Sequence, residues 1–379
     1  MAMAHININM LTWARERSSI VMSDFAEKCG VSVDKLEEWE SGKRPMTFYQ
    51  AQDYANKTYI PFGYLFLQHP PMEELPLPEL HTIDGKAPIL PSLELMDMVK
   101  ITLQRQGWYK EHLKLQLVEN SSVVGGFSVN DSVDRIVNDM RKTLSAPKHP
   151  IRGKWEDYYR ELVKKIESAG IMVMREGYIG HHSRALNADE FRGFAIADEL
   201  APIIFVNHAD SLGARLFTLI HELCHIWVGL SGISDGNTAT HRQEEILCNA
   251  VAAEFLVPAE EFLSIWQEDA EPWTYNLTVM EAHFHVSTWV LARRALTLNK
   301  ISKETYRAFI NAKKTAYGKK KTTGGPTYYQ TKKAQLSGLF SRAVVTEALN
   351  GRLLLREAGQ LLGGIKPSKI KTFAKELGV

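Results

Sequence analysis

The chain has few of the features that mark a protein built for an oxidising compartment or a membrane. Its 379 residues include only 3 cysteines, which lie far apart and do not make a disulfide framework. No apolar run approaches the ~20 residues that cross a bilayer. The segment from Met1 to Met10 lacks the basic head and apolar core of a signal peptide. We therefore expect a reduced, cytoplasmic protein of two or three domains, with no membrane partner.

Charge is close to balanced overall, at +1, but it is unevenly distributed. Residues 293–379 hold 19 Lys/Arg and 4 Asp/Glu, whereas residues 1–292 hold 26 and 40. The basic residues concentrate between Arg293 and Lys333, where tyrosines are interleaved. Such a strip can bind nucleic acid phosphates, the acidic body of the same chain or an acidic partner. The sequence leaves these three roles open.

The most informative motif is His221-Glu222-Leu223-Cys224-His225, inside an apolar helical run from Leu216 to Val228. Two histidines four apart share one face of a helix, so both imidazoles can reach one Zn²⁺ at about 2.0–2.1 Å. Glu222 is placed to take a proton from the attacking water. Burying these side chains without a metal would be costly. The motif predicts metal-assisted hydrolysis, with a peptide bond as the expected substrate.

A catalytic zinc site takes three protein ligands and keeps one open position. The next predicted helix runs from Glu244 to its stop at Pro258, after a glycine-containing loop from Gly229 to Thr240. We expect Glu245 to be the third ligand, and Asn249 on the same face to hold a histidine or the carboxylate in place. His241, one turn before Glu245, is the alternative ligand. Glu244 points about 100° away from Glu245.

Further residues around the motif have open roles. Cys224 and Cys248 could approach the metal, although a small buried apolar role is more usual for such thiols. The oxyanion of the reaction needs a donor besides the metal, for which His208, His241 or a tyrosine are candidates. Upstream, apolar runs on either side of Pro202 predict a β-hairpin, from Phe191 to Asn207. This hairpin either provides an edge strand for an extended substrate or is purely structural.

Residues 8–68 are predicted to be helical, with a helix-turn-helix pattern from Ser23 to Pro45. A short helix is followed by a turn at Gly30-Val31 and by a second helix, with Ser32 as N-cap and Gly42 as its stop. The apolar residues with the spacing of a helix-turn-helix core are Phe25, Ala26, Val31, Leu36 and Trp39.

The second of these helices has an unusual charge for DNA recognition. Asp34, Glu37 and Glu38 hold positions that would face the groove, and carboxylates repel phosphates. Lys35, Lys43 and Arg44 remain as candidate phosphate contacts. The sequence therefore leaves operator DNA binding and a protein-interaction role equally open.

The remaining pattern divides the chain into regions. Prolines between Pro70 and Pro91 indicate an extended linker. Helices are predicted over Leu93 to Val118, Val133 to Leu144 and Trp155 to Ser168, followed by a strand over Ile171 to Arg175. Further helices are predicted from Val279 to Leu298 and from Leu336 to Leu377. The predicted class is α+β and mostly helical, with regions at 1–70 (helix-turn-helix), 71–94 (linker), 95–150 (helical connection), 151–300 (metallopeptidase) and 301–379 (basic segment and helical end).

Taken together, these residues resemble an ImmA/IrrE-family metallopeptidase fused to an N-terminal Cro/repressor-like (XRE) helix-turn-helix domain. The resemblance rests on residues 221–225, on Cys248 to Pro258, and on Phe284 to Leu296, where the family has a phenylalanine-valine-serine and then an arginine-leucine pattern. It covers about residues 155–300 and 10–65.

The resemblance implies a gluzincin-type site, with His221, His225 and Glu245 as zinc ligands and Glu222 as base. It implies a protein substrate, often a helix-turn-helix repressor cut at a linker to release stress, mobile-element or phage genes. Because regulator and peptidase share one chain, self-cleavage near Pro70 to Pro91 is a further hypothesis. The alternative is an antitoxin or transcriptional regulator of a toxin–antitoxin pair, whose metal site is structural or proteolytically silent.

Overall fold

The structure is a computed structural model that describes residues 3–18, 20–72, 77, 91–150, 155–234, 242–316 and 328–379. Over these residues the chain forms 17 α-helices, two short 3-10 helices and one four-stranded mixed sheet. The predicted α+β, mostly helical class is confirmed. The chain divides into two compact units, residues 1–75 with 91–93, and residues 76–90 with 94–379. No helix in the described ranges is long and apolar enough to cross a membrane.

The N-terminal unit is a small helical bundle. Its elements are α1 (Ile8–Arg17), α2 (Met22–Cys29), α3 (Val33–Glu40), α4 (Phe48–Lys57) and a 3-10 helix (Phe62–Phe66). Gly30 ends α2 with a φ of +68°, which a glycine adopts without steric cost. Ser32 caps α3 by accepting a hydrogen bond from the Lys35 backbone N–H. Phe25, Leu36 and Trp39 are buried between the helices, as predicted.

A buried polar network also fixes the packing of this unit. Arg15 donates two hydrogen bonds to Glu40, at 2.8 and 2.9 Å. The Tyr54 hydroxyl donates to the same carboxylate at 2.7 Å. These contacts connect α1, α3 and α4, so the last residue of α3 is held on two sides.

The second unit begins with three helices, α5 (Leu93–Leu115), α6 (Val133–Leu144) and α7 (Trp155–Ser168). The bounds of α6 and α7 are those predicted. The predicted end of α5 at Val118 is wrong by three residues, because Leu117 takes a left-handed φ of +54° that a helix cannot continue through. Helix α5 also starts two residues inside the predicted linker.

The sheet consists of β1 (Met172–Met174), β2 (Gly193–Ile196), β3 (Ile203–Val206) and β4 (Gly232–Ser234), in the order β1-β3-β2-β4. Strands β2 and β3 form the predicted antiparallel hairpin, while β1 pairs with β3 in parallel. The prediction of an edge strand in this hairpin is wrong, since both of its strands have neighbours on either side. The edges are β1 and β4, and β4 lies in the segment predicted to be only a loop.

Five helices follow around the sheet: α8 (Leu212–Trp227), α9 (Gln243–Leu256), α10 (Ala259–Ile265), α11 (Tyr275–Phe284) and α12 (Thr288–Thr297). Helices α8 and α9 pack directly on each other, and Ala252 and Cys248 are fully buried between neighbouring elements. Small side chains at these positions allow the close approach of the two helices. The turn between α11 and α12 forms at His285, which has a φ of +53°.

The C-terminal part is helical, as predicted. Its elements are α13 (Lys303–Ala316), α14 (Tyr328–Gln335), α15 (Gly338–Leu349), α16 (Leu355–Leu361), a 3-10 helix (Pro367–Lys369) and α17 (Ile370–Leu377). Residues 317–327 of the basic strip lie outside the described residues. Beyond them, Lys332 is buried, whereas Lys333 is exposed and donates to the Glu376 carbonyl.

Candidate metal centre

Helix α8 carries the motif and is held at its start by a close contact. Ser211 is its N-cap and accepts a hydrogen bond from the Ala214 N–H. A Cβ on Gly213 would lie 2.2 Å from Ser287 Oγ, so only glycine lets the segment before α12 approach the first turn of α8.

Helices α8 and α9 bring three side chains to one point. Nε2 of His225 lies 3.2 Å from Nε2 of His221. The Glu245 carboxylate approaches both rings, at 3.3 Å from His221 Nε2 and 3.1 Å from His225 Nε2. All three residues are buried, with 5%, 0% and 8% of His221, His225 and Glu245 exposed. The predicted ligand set therefore meets in space.

The spacing of these donor atoms is close to that of the ligands in a tetrahedral zinc site. Zinc ligands at 2.0–2.1 Å in tetrahedral geometry are separated by about 3.3 Å from one another. The two imidazole nitrogens are 3.2 Å apart, and His221 and His225 lie 3.3 and 3.1 Å from Oε2 and Oε1 of Glu245, respectively. One donor atom from each residue lies within 4.8 Å of the other two, so the three residues can face one ion and leave a fourth position open. Two imidazole nitrogens and one carboxylate oxygen are the donor set of catalytic zinc sites of the His₂Glu type.

The charges of this cluster are strongly coupled. Burial lowers the pKa of His221, but contact with Glu245 and the nearby carboxylate of Glu222 outweigh it and raise that pKa to about 9. Burial raises the pKa of Glu245, yet the two histidines lower it well below its ordinary range. Burial lowers the pKa of His225. An anionic carboxylate thus faces two imidazoles, as metal coordination requires.

Glu222 is fully buried next to the three donors, and its position depends on a glycine in β2. Neither carboxylate oxygen of Glu222 has a hydrogen-bond partner within the described residues. Burial raises the pKa of Glu222 to about 8. A Cβ on Gly193 would lie 2.9 Å from Glu222 Oε1 and 2.7 Å from the Phe205 carbonyl oxygen. Gly193 therefore provides the space that the carboxylate fills.

The other predicted neighbours of the metal have different surroundings. Asn249 is half-buried on α9, but Nδ1 of both His221 and His225 has no partner among the described residues, so no hydrogen bond from Asn249 holds either ring. Glu244 is half-buried and lies outside the cluster. His241 lies outside the described residues.

Cys224 and Cys248 are both buried and reduced. Burial raises the pKa of the Cys248 thiol, with contact to Cys224 as a second cause. A neutral thiol is a poor metal ligand, because thiolate is the coordinating form. Cys224 and Cys248 are therefore packed as small residues of the core.

His208 is engaged with another side chain. Its Nε2 lies 2.9 Å from Nη1 of Arg215, and because a guanidinium can only donate, this ring nitrogen must accept. Burial, with the charges of Arg215 and Arg175, lowers the pKa of His208 to about 3. As an oxyanion donor, His208 has only its Nδ1–H available.

Two structural contacts around the centre were not foreseen. Arg294 pairs with Glu254 and donates to the Val257 carbonyl at 2.9 Å, which fastens α12 to the end of α9. The Gly125 N–H donates to the Ile226 carbonyl at the end of α8. Glu254 and Arg294 each lie in one of the two segments that carried the resemblance. The sequence alone does not show that these two residues face each other.

In the N-terminal unit, the candidate DNA-contacting residues lie around α3. Lys35 extends over the Trp39 ring, at 5.4 Å from its centroid. Arg44 pairs with Glu38 at 3.4 Å while its side chain is 58% exposed. Lys43 is exposed, as are Asp34 and Glu37. Cations and carboxylates therefore alternate on this surface.

Comparison with known families supports the central region. The model Peptidase_M78, an IrrE N-terminal-like domain, matches residues 166–296, which run from the end of α7 to α12. A domain of unknown function, DUF8813, matches residues 336–376. The search of curated proteins and that of solved structures gave no match. Residues 166–296 are thus similar to an IrrE N-terminal-like domain of the metallopeptidase type, while the Cro/repressor-like domain stays a prediction.

Proposed function

We propose that helices α8 and α9 form the catalytic centre of a regulatory zinc-dependent endopeptidase. The observation that carries the proposal is the triangle of His221, His225 and Glu245 donor atoms beside the buried, unpartnered carboxylate of Glu222. A purely structural metal site would need no second carboxylate without a hydrogen-bond partner, since an unpaired buried carboxylate is costly. A buried ionisable side chain with a strongly shifted pKa is typical of a catalytic acid or base.

Each residue then has a role in hydrolysis. His221, His225 and Glu245 would hold Zn²⁺, which when bound supplies the Lewis acid that polarises the scissile carbonyl and activates water. Glu222 takes the proton of the attacking water and passes it to the leaving amine, which suits a carboxyl whose pKa is raised. Strand β4 ends at Ser234 beside this site and pairs on one side only within the described residues, so an extended peptide can add to it.

The substrate we propose is a helix-turn-helix repressor-type protein, or the chain itself. The proline-containing segment from residue 70 to 91 joins the N-terminal unit to the metallopeptidase-bearing unit in sequence. Residues 73–76 and 78–90 of this segment lie outside the described residues, and the sequence predicts an extended linker there, the conformation that a peptidase cleft accepts. Cleavage there would separate the predicted regulator from the enzyme.

The test uses an inactive copy of the chain as its substrate. Tagged Glu222→Gln protein retains the linker and the metal ligands but lacks the base. Incubated with the zinc-loaded parent, it should yield fragments cut between residues 70 and 91, detected by intact mass, whereas zinc-loaded Glu222→Gln protein alone should stay intact. Glu244→Gln protein is the matched control and should cut like the parent. Equal processing by Glu222→Gln protein and the parent would refute the proposal.

The second candidate function is that of an antitoxin or transcriptional regulator, and the surface of the N-terminal unit favours it. Asp34 and Glu37 are exposed on α3, and Tyr49 on α4 is 77% exposed. Acidic and aromatic groups together suit a basic protein partner such as a toxin better than DNA. A gel-shift assay with operator DNA at several salt concentrations separates the two partners. Binding that weakens on Lys43→Ala with Arg44→Ala would favour DNA.

A further inference from the structure

A second group of metal-type donors lies outside the catalytic centre. His149 follows α6, Glu261 lies on α10 and His283 lies on α11. One donor atom from each of the three lies within 4.8 Å of the other two. Oε1 of Glu261 is 3.2 Å from His149 Nδ1 and 2.9 Å from His283 Nε2. The composition, two imidazoles and one carboxylate, is that of the first cluster, although no residue is shared.

The three side chains are held in place before any ion binds. Arg141 donates to the carbonyls of Pro147 and Lys148, which fixes the segment that presents His149. The rings of His149 and His283 lie with centroids 4.4 Å apart, and Phe284 packs edge-on against both. Donors fixed by packing and hydrogen bonds lose little entropy on binding a ligand.

One donor atom of this cluster, Oε2 of Glu261, is buried without a hydrogen-bond partner among the described residues. Nδ1 of His149 is also buried, and it faces Oε1 of Glu261 at 3.2 Å. The side chains themselves remain 26%, 25% and 35% exposed at His149, Glu261 and His283, so an ion can reach them from solvent. The cluster of His149, Glu261 and His283 can therefore be reached by an ion from solvent, and it has a buried oxygen available to bind that ion.

We propose that His149, Glu261 and His283 form a second binding site for a divalent first-row transition-metal ion, with Zn²⁺ as the probe. Imidazole nitrogens select such ions over Mg²⁺ or Ca²⁺. The donor separations of 2.9 and 3.2 Å are close to the ~3.3 Å of tetrahedral zinc ligands. Arg141 interacts electrostatically with Glu261, and its guanidinium is already bonded to backbone carbonyls.

Occupancy of this site would cross-link three segments. The segment after α6 is distant in sequence from α10 and α11, and α10 directly follows the helix that carries Glu245. An ion that binds only the folded chain stabilises it by mass action. With three protein ligands, a fourth position stays open to water or to a donor from a partner.

The experiment counts ions in a background that lacks the catalytic site. Full-length His221→Ala/His225→Ala protein is stripped with a chelator and dialysed against Zn²⁺. We expect one Zn²⁺ per chain and a zinc-dependent rise in melting temperature. Adding His149→Ala/His283→Ala, or Glu261→Gln alone, should remove both. His181→Ala/His182→Ala is the matched control, since it deletes two exposed histidines elsewhere, and should remove neither.

The comparison remains decisive whatever happens at the catalytic centre, because every variant already lacks that site. Circular dichroism at equal temperature shows whether each variant is folded, and Glu261→Gln keeps the shape of the side chain. Equal zinc binding with and without His149 and His283 would overturn the proposal, as would the absence of zinc binding in the starting background. In either case the three residues would form an ion pair only.

Discussion

Replacing Gly193 with alanine tests how the centre positions Glu222. The added Cβ would lie 2.7 Å from the Phe205 carbonyl oxygen, 2.7 Å from Thr218 Cγ2 and 2.9 Å from Glu222 Oε1. Carbon atoms in contact prefer separations of about 3.5–4.0 Å, so all three contacts are too short. The Phe205 backbone is fixed by its pairing in β3, whereas the Glu222 carboxylate is the movable end. We expect the carboxylate to turn away from the metal donors.

The size of the effect follows from these contacts. Overpacking of a filled core costs about 1–3 kcal/mol. For a unit of this size each kcal/mol lowers the melting temperature by roughly 2–4 °C, so a fall of roughly 2–12 °C is expected. Loss of a positioned general base lowers the rate by about 10²- to 10⁴-fold. The three metal donors are not touched, so metal content should stay that of the parent.

Two glycine controls separate these effects. Gly126→Ala places its Cβ no closer than 3.7 Å to the Ser122 carbonyl and should change neither stability nor cleavage. Gly213→Ala meets Ser287 Oγ at 2.2 Å and should destabilise without displacing Glu222. Thermal unfolding, metal analysis and linker cleavage are measured for all variants. A Gly193→Ala protein that cuts like the parent, or no worse than an equally destabilised Gly213→Ala protein, would refute the reasoning.

Three further predictions concern single contacts. Glu245→Ala should weaken zinc binding by more than the 10- to 100-fold that loss of an outer partner costs, while Glu244→Ala should leave it unchanged, as measured by competition with a chelator. His208 has a folded pKa of about 3, below the unfolded value of 6.5, so its contribution to stability is complete above pH 6.5 and is lost as pH falls towards 3. Chemical denaturation should therefore show that His208→Gln costs more stability at pH 7 than at pH 5, and an equal cost at both would contradict this. Arg294→Ala should lower the free energy of unfolding by about 2–3 kcal/mol, because Glu254 loses its cationic partner and keeps only the Ala259 N–H, and an unchanged denaturation midpoint would contradict it.

The long elements with clear start and stop signals could be predicted from the sequence. Helix α6 has an apolar stripe and a serine cap at Ser132, and both of its ends were predicted. The motif helix could be recognised because two histidines and a glutamate at fixed spacing interrupt an apolar run. Glu245 was predicted as the third ligand because helical periodicity places it on one face of the next helix.

The remaining features depend on tertiary contacts. Strand β4 is only three residues long, and such a segment in a glycine-containing loop has no detectable period until β2 offers it hydrogen bonds. Gly193 has a role only because α8 places Glu222 against it. The group of His149, Glu261 and His283 comes from three separate segments, so no local spacing could reveal it.

The segment before α6 determines how much of the chain a working fragment would need. Gly125 and Phe127 donate backbone hydrogen bonds to the carbonyls of Ile226 and Trp227, where α8 ends. The Trp227 indole donates to Asp139 of α6 at 2.8 Å. A fragment that begins at residue 151 would lack Gly125, Phe127 and Asp139. The end of α8 would then lose all three of these hydrogen bonds. A fragment that begins at the start of the family match, residue 166, would also lack these contacts, so a fragment that keeps the metal-donor cluster in its present surroundings has to begin before residue 125.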